Sequence, residues 1–152
     1  MTRPGAGWLT AAALLSAAAA ALHLAVIAGG PDWYRFFGAG EGMARLAEQG
    51  SPRPALVTLA IAAVLATWSA YALAGAGRIR RLPLMRTALV AISAVYLARG
   101  LILLPALAIA PGRVDAFLIW SSLIVLVYGI AYAVGTFRAW PALAPEASGR
   151  AR

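Results

Sequence analysis

TALVAISAVYLARGLILLPALAI, residues Thr87 to Ile109, is the stretch whose reading decides the fold. Twenty apolar residues make about 30 Å of helix, the thickness of a bilayer's hydrocarbon core. This run is long enough to cross, yet one charge, Arg99, sits near its middle. A charged side chain at that depth costs about 2.5–3.5 kcal/mol on insertion scales, and more on an isolated helix. A chain keeps such a group only where something stabilises it.

Three more runs of that length flank it, at about 8–28, 55–76 and 116–137. The first is interrupted only by Thr10, Ser16 and His23. It is longer than a signal peptide's apolar region and reads as a retained span. The expected fold class is therefore all-α: a four-helix transmembrane bundle with short interfacial helices in the first loop. A hydrophobic content of 62% agrees, and the residues between the spans are too few for a soluble domain. Residues 1–140 make one membrane domain. The segment 141–152, rich in Pro, Ala, Gly and Ser, is expected to be a disordered tail.

Charge then orients the bundle. Arg3, Arg78, Arg80, Arg81, Arg86, Arg138, Arg150 and Arg152 fall on one side, and only Arg35, Arg45, Arg53 and Arg113 on the other. Both termini are expected in the cytoplasm. All thirteen basic residues are Arg, and Lys and Asn are absent. That composition fits a GC-rich bacterial genome, and the expected location is the inner (cytoplasmic) membrane. The net charge of +8 serves topology and contact with membrane lipids rather than nucleic acid, because no soluble element carries a basic stripe with interleaved aromatics. The basic turn from Gly77 to Arg86 reads the same way. Without cysteine there is no thiol nucleophile, thiolate zinc site or iron–sulfur cluster.

The first loop is the most individual segment. Residues 31–50 are expected to form a lid of one or two short helices. Pro31 suits a first helical turn, and Asp32 favours the positive end of a helix. Trp33, Tyr34, Phe36 and Phe37, with Arg35 among them, make an aromatic cluster suited to interfacial depth. Glu41 and Arg45, and Arg45 and Glu48, are spaced to pair on a second short helix. The plainer alternative is a simple interfacial anchor.

The groups able to carry chemistry share the outer half of the bundle. Arg99 lies about 15 Å below the outer end of its span, and His23 near the outer end of the first. Trp120, Ser121 and Ser122 occupy the outer half of the fourth. Together they are expected to line a cavity open to the first loop. The Tyr96 hydroxyl, one turn from Arg99, is a candidate to solvate the guanidinium. No span holds Asp or Glu, so the countercharge comes from loop residues Glu41 or Asp32, from a lipid phosphate or from an anionic ligand. Alternatively, Arg99 binds helix-end carbonyls or reaches to the interface. Pro105 is placed to kink the helix beside it. A single His, with no carboxylate in the spans, makes no metal site. Trp68, Tyr71, Tyr128, Tyr132 and Gly135 read mainly as packing. No nucleophile elbow, H-E-x-x-H, Walker loop or dinucleotide fingerprint is present, so an enzyme is not the expectation.

His23 in the first span, then P-D-W-Y-R-F-F-G-A-G-E from Pro31 to Glu41, then three more apolar spans, resembles the DoxX-like group of small bacterial four-helix membrane proteins. Small proteobacterial inner-membrane proteins of this size are similar. Some members of that group are subunits of quinone-linked oxidoreductases, so the resemblance implies proximity to quinone or lipid. The expected function is a non-enzymatic or accessory membrane protein that binds a lipid, quinone or small anionic amphiphile around Arg99. The alternatives are a small anion or proton transporter, and a structural subunit of a homo-oligomer or larger complex.

Overall fold

The structure, a computed structural model, describes residues 3–144. They are helical throughout, without strands. Helix α1 runs Ala6–Gly29, α2 Pro31–Phe36, α3 Glu41–Glu48 and α4 Arg53–Gly75. Then come α5 Met85–Leu101, α6 Leu103–Ile109 and α7 Ala116–Ala139, with single 3-10 turns at Pro111–Arg113 and Trp140–Leu143. Four stretches are long and apolar enough to cross a membrane: α1, α4, α5 with α6, and α7 with its last turn. The chain is a multi-pass membrane protein with a helical bundle.

The side chains follow the solvent a bilayer provides. Leu56, Leu59, Val64, Val90, Ile124 and Val127 point outward, while Ser16, Ser69, Ser93, Ser122 and Thr136 are buried. In water so much exposed apolar surface would drive association. In lipid it is the matched surface, and small or hydroxylated residues mediate helix contacts.

Helices α1 and α4 form one close pair and α5 and α7 the other, joined mainly through α1 and α7. Glycine sets the distance within the second pair. A Cβ on Gly100 would lie 2.7 Å from the Leu126 Cα, and one on Gly129 would lie 2.9 Å from the Leu97 nitrogen. These reciprocal contacts also fix the antiparallel register. Between the pairs, Gly135 admits Leu9; within the first pair, the Ser69 hydroxyl donates to the Ala13 carbonyl at 2.8 Å.

All four spans meet at one polar knot. Ser16 Oγ on α1 bonds the hydroxyls of Tyr96 on α5 and Tyr132 on α7, at 2.9 and 3.0 Å. The Tyr96 ring lies 4.9 Å from Trp68 on α4 and 5.5 Å from Tyr128. Burial of these rings follows the packing reading.

One expectation is met and two are refined. The third span is not one helix: it breaks at Ile102, three residues before Pro105. Proline has no N–H for the Leu101 carbonyl and its ring crowds that oxygen. Beyond residue 140 the described chain forms the Trp140–Leu143 turn, with Leu143 buried in the core; the rest of the expected tail, 145–152, lies outside the described residues. Finally, two arginines of the second loop do more than set topology. Arg81 donates to the Ala144 carbonyl at 2.6 Å and Arg86 to that of Trp140 at 2.9 Å. Arg86 also sits 4.6 Å above the Trp140 ring. Arg86 satisfies the carbonyl that caps the negative end of α7, and Arg81 the one that follows the Trp140–Leu143 turn.

Candidate functional site

The α2–α3 segment is built as expected at its ends. Pro31 begins α2, Asp32 lies in its first turn, and Gly38, Gly40 and Gly50 take positive φ where the chain turns. Helix α2 packs on α1, and α3 packs on α2 and α4. Tyr34 departs from the interfacial reading: it is 2% exposed, packed with Val26 and Ala44, its hydroxyl buried without a partner. Phe36 is the ring that faces outward, at 77%. Asp32, Trp33, Phe36 and Phe37 line an open depression of about 510 Å³.

Arg35 organises the segment's charges. Its guanidinium bonds Glu41 at 2.9 Å, Glu48 at 2.7 Å and Asp32 at 3.2 Å. Arg45 adds a bond to Glu41 at 3.0 Å, the expected pair. The expected Arg45–Glu48 pair does not form, because Glu48 turns to Arg35. Hydrogen bonds from Arg35, then Arg45, hold the Glu41 carboxyl down at about 2. Hydrogen bonds to Glu41, then Glu48, hold Arg35 above its ordinary value.

Arg99 consequently has no carboxylate partner among the described residues. Its guanidinium donates instead to Ser122 Oγ at 3.0 Å and Ser121 Oγ at 3.1 Å. The register explains how. Gly100 faces Leu126 and Leu97 faces Gly129, so Arg99 lies opposite Val127. Ser122 is five residues nearer the outer end of α7, so the side chain climbs about 7 Å outward from its own Cα. Ser121 keeps a weaker bond to the Leu118 carbonyl at 3.3 Å, and Ser122 is fully buried.

The other expected members stand apart. Tyr96 lies one turn inward and gives its hydroxyl to Ser16, so it does not solvate Arg99. His23 uses Nδ1 within its own helix, 2.8 Å from the Ala19 carbonyl. A carbonyl only accepts, so Nδ1 carries the proton and Nε2 the free lone pair in the neutral ring. Glu41 belongs to the Arg35 network. Trp120 is 66% exposed, one residue before Ser121. Among the described residues no three His, Cys, Asp or Glu gather as a metal site.

Sequence reasoning thus put Arg99, Ser121 and Ser122 in the outer half by depth alone, and these three are brought into contact. It missed Ser16 as the centre of the tyrosine knot, although a hydroxyl halfway along an otherwise apolar span was the available signal. It also missed Asp115, whose carboxylate caps α7 by accepting from the Leu118 N–H at 2.7 Å. Comparison with family models, curated proteins and solved structures found no match.

Proposed function

We propose that the chain is a non-enzymatic or accessory protein of the bacterial inner membrane, with both termini cytoplasmic, that binds the polar head of an amphiphile at Arg99. One observation carries this reading: Arg99, the charge placed far from either end of its span, is half-buried against two neutral hydroxyls, while Asp32, Glu41 and Glu48 of the first loop all pair with Arg35. A guanidinium has five N–H donors, and two of them are used here. Hydroxyls orient a cation without neutralising it, so an anionic head completes the site. Arg99 supplies charge and Ser121 and Ser122 hold it in place. Lipid, quinone and small anionic amphiphiles remain the ligand classes, the DoxX-like resemblance being the reason for quinone. His23, Tyr96 and Glu41 take no part in this version of the site.

A transporter of anions or protons would need a polar path to the cytoplasmic face. Inward of Arg99 stands the packed knot of Ser16, Tyr96 and Tyr132, which argues for a one-sided binding site. The test is mass spectrometry of protein released from native membrane under non-denaturing conditions. Wild type should retain a small amphiphile that Arg99→Leu loses. Equal retention by both overturns the reading, and Arg99-dependent anion flux into liposomes would favour transport instead.

A further inference from the structure

Deepening that reading, on which it rests, we infer that the ligand is an anionic phospholipid whose phosphodiester enters sideways, through a wedge between α6 and the outer half of α7. The wedge follows from the break at Ile102. Below it, α5 is clamped to α7 through Gly100 and Gly129. Above it, α6 touches α7 only lightly and buries none of its residues. The two helices part at the level where the Arg99 guanidinium meets Ser121 and Ser122. The α2–α3 lid packs on α1 and α4 and reaches α7 at Phe117, beneath Gly38, one turn outward of Ser121.

Charge selects the ligand. A quinone is neutral and leaves the guanidinium uncompensated in a low-dielectric setting, where an unpaired charge is costly. A phosphodiester neutralises it and offers two oxygens to the fork of remaining donors. Depth agrees: Ser122 is seven residues into α7, about 9 Å from its outer end. That lies just below the headgroup layer, within reach of a phosphate drawn slightly inward. Inward of the guanidinium, Leu101, Leu123, Val127 and Ile130 present an exposed apolar surface for acyl chains. Trp120, one residue outward of the serines, flanks the glycerol region, where indole rings are favoured.

The full chain, delipidated in neutral detergent, is titrated separately with phosphatidylglycerol, oleate and inorganic phosphate, and read by melting temperature and native mass spectrometry. Phosphatidylglycerol should bind with one-to-one stoichiometry, and Arg99→Gln should weaken it at least tenfold. Trp120→Ala, at an exposed site that leaves the fold intact, should weaken it about threefold. Arg99-dependent binding of oleate without phosphatidylglycerol overturns the phosphodiester and leaves the anionic-head reading standing. A response to inorganic phosphate equal to that of the lipid overturns sideways lipid entry. Binding of no probe in an Arg99-dependent way, or full retention of phosphatidylglycerol by Trp120→Ala and Arg99→Gln alike, overturns both.

Discussion

Ser16 shows how much one small side chain decides inside a membrane. Its hydroxyl holds Tyr96 and Tyr132 together from a third helix. Ser16→Ala leaves two buried phenols short of a partner, and should lower stability in detergent by about 1–2 kcal/mol. In a Tyr96→Phe, Tyr132→Phe background the same change should cost much less, since no hydroxyl is then orphaned. Equal costs in the two backgrounds would show that the knot is held by ring packing alone. Arg99 makes the complementary point. Its charge was legible in the sequence, and its partner was not. Tyr96 is its neighbour by helical spacing, but the two side chains depart in opposite directions along the bundle, one into the knot and one toward the outer end.

At the scale of elements, the α5–α7 pair is set by backbone approach. Gly100→Ala places a Cβ against the Leu126 backbone, which cannot yield as a flexible side chain does. It should destabilise by about 1–3 kcal/mol, the range for overpacking, as measured by thermal unfolding. Gly7→Ala, with nothing within 4 Å, is the control and should be neutral or slightly stabilising. The α2–α3 segment depends on charge instead. Glu41 has its carboxyl lowered from 4.5 to about 2, so its pairing is complete above pH 4.5 and is lost as pH falls toward 2. Protection factors across residues 31–50, with exchange corrected for its intrinsic pH dependence, should therefore fall over that window, and salt should lower them at neutral pH, because these pairs are exposed. Protection in that segment that is flat from pH 5 to 2 would place its stability in the Tyr34 cluster alone. The helices of this loop were readable from Pro31, the glycines and the charge spacing. The choice of Arg35 as their hub was not, because it depends on how α2 and α3 fold back on each other.

For the whole molecule, the distribution of arginine predicts its orientation. The native chain has no cysteine, so single substitutions give clean labels. Gln49→Cys should react with an impermeant maleimide in cells with only the outer membrane opened, and Arg78→Cys only after the inner membrane is breached. The reverse pattern would invert the topology and place the Arg99 wedge in the cytoplasmic leaflet. Lipid as the solvent explains the global packing: many Leu, Ile and Val face outward, while Ser16, Ser69, Ser93, Ser122, Tyr96 and Tyr132 are buried.

The sequence by itself determined the number of spans, their approximate ends, the all-helical class and the depth of each polar residue. Those are properties of distance along a helix, and 1.5 Å per residue converts one into the other. Helix rotation and helix partnership were decided only by tertiary structure. Each span is apolar on every face, so no amphipathic stripe records which side turns inward. That choice rests on close contacts between residues far apart in the chain, such as Gly100 with Leu126, Ser16 with Tyr132 and Leu9 with Gly135. The break before Pro105 was legible, but its consequence was not: α6 leaves α7 where Arg99 arrives, and there the charge meets hydroxyls instead of a carboxylate.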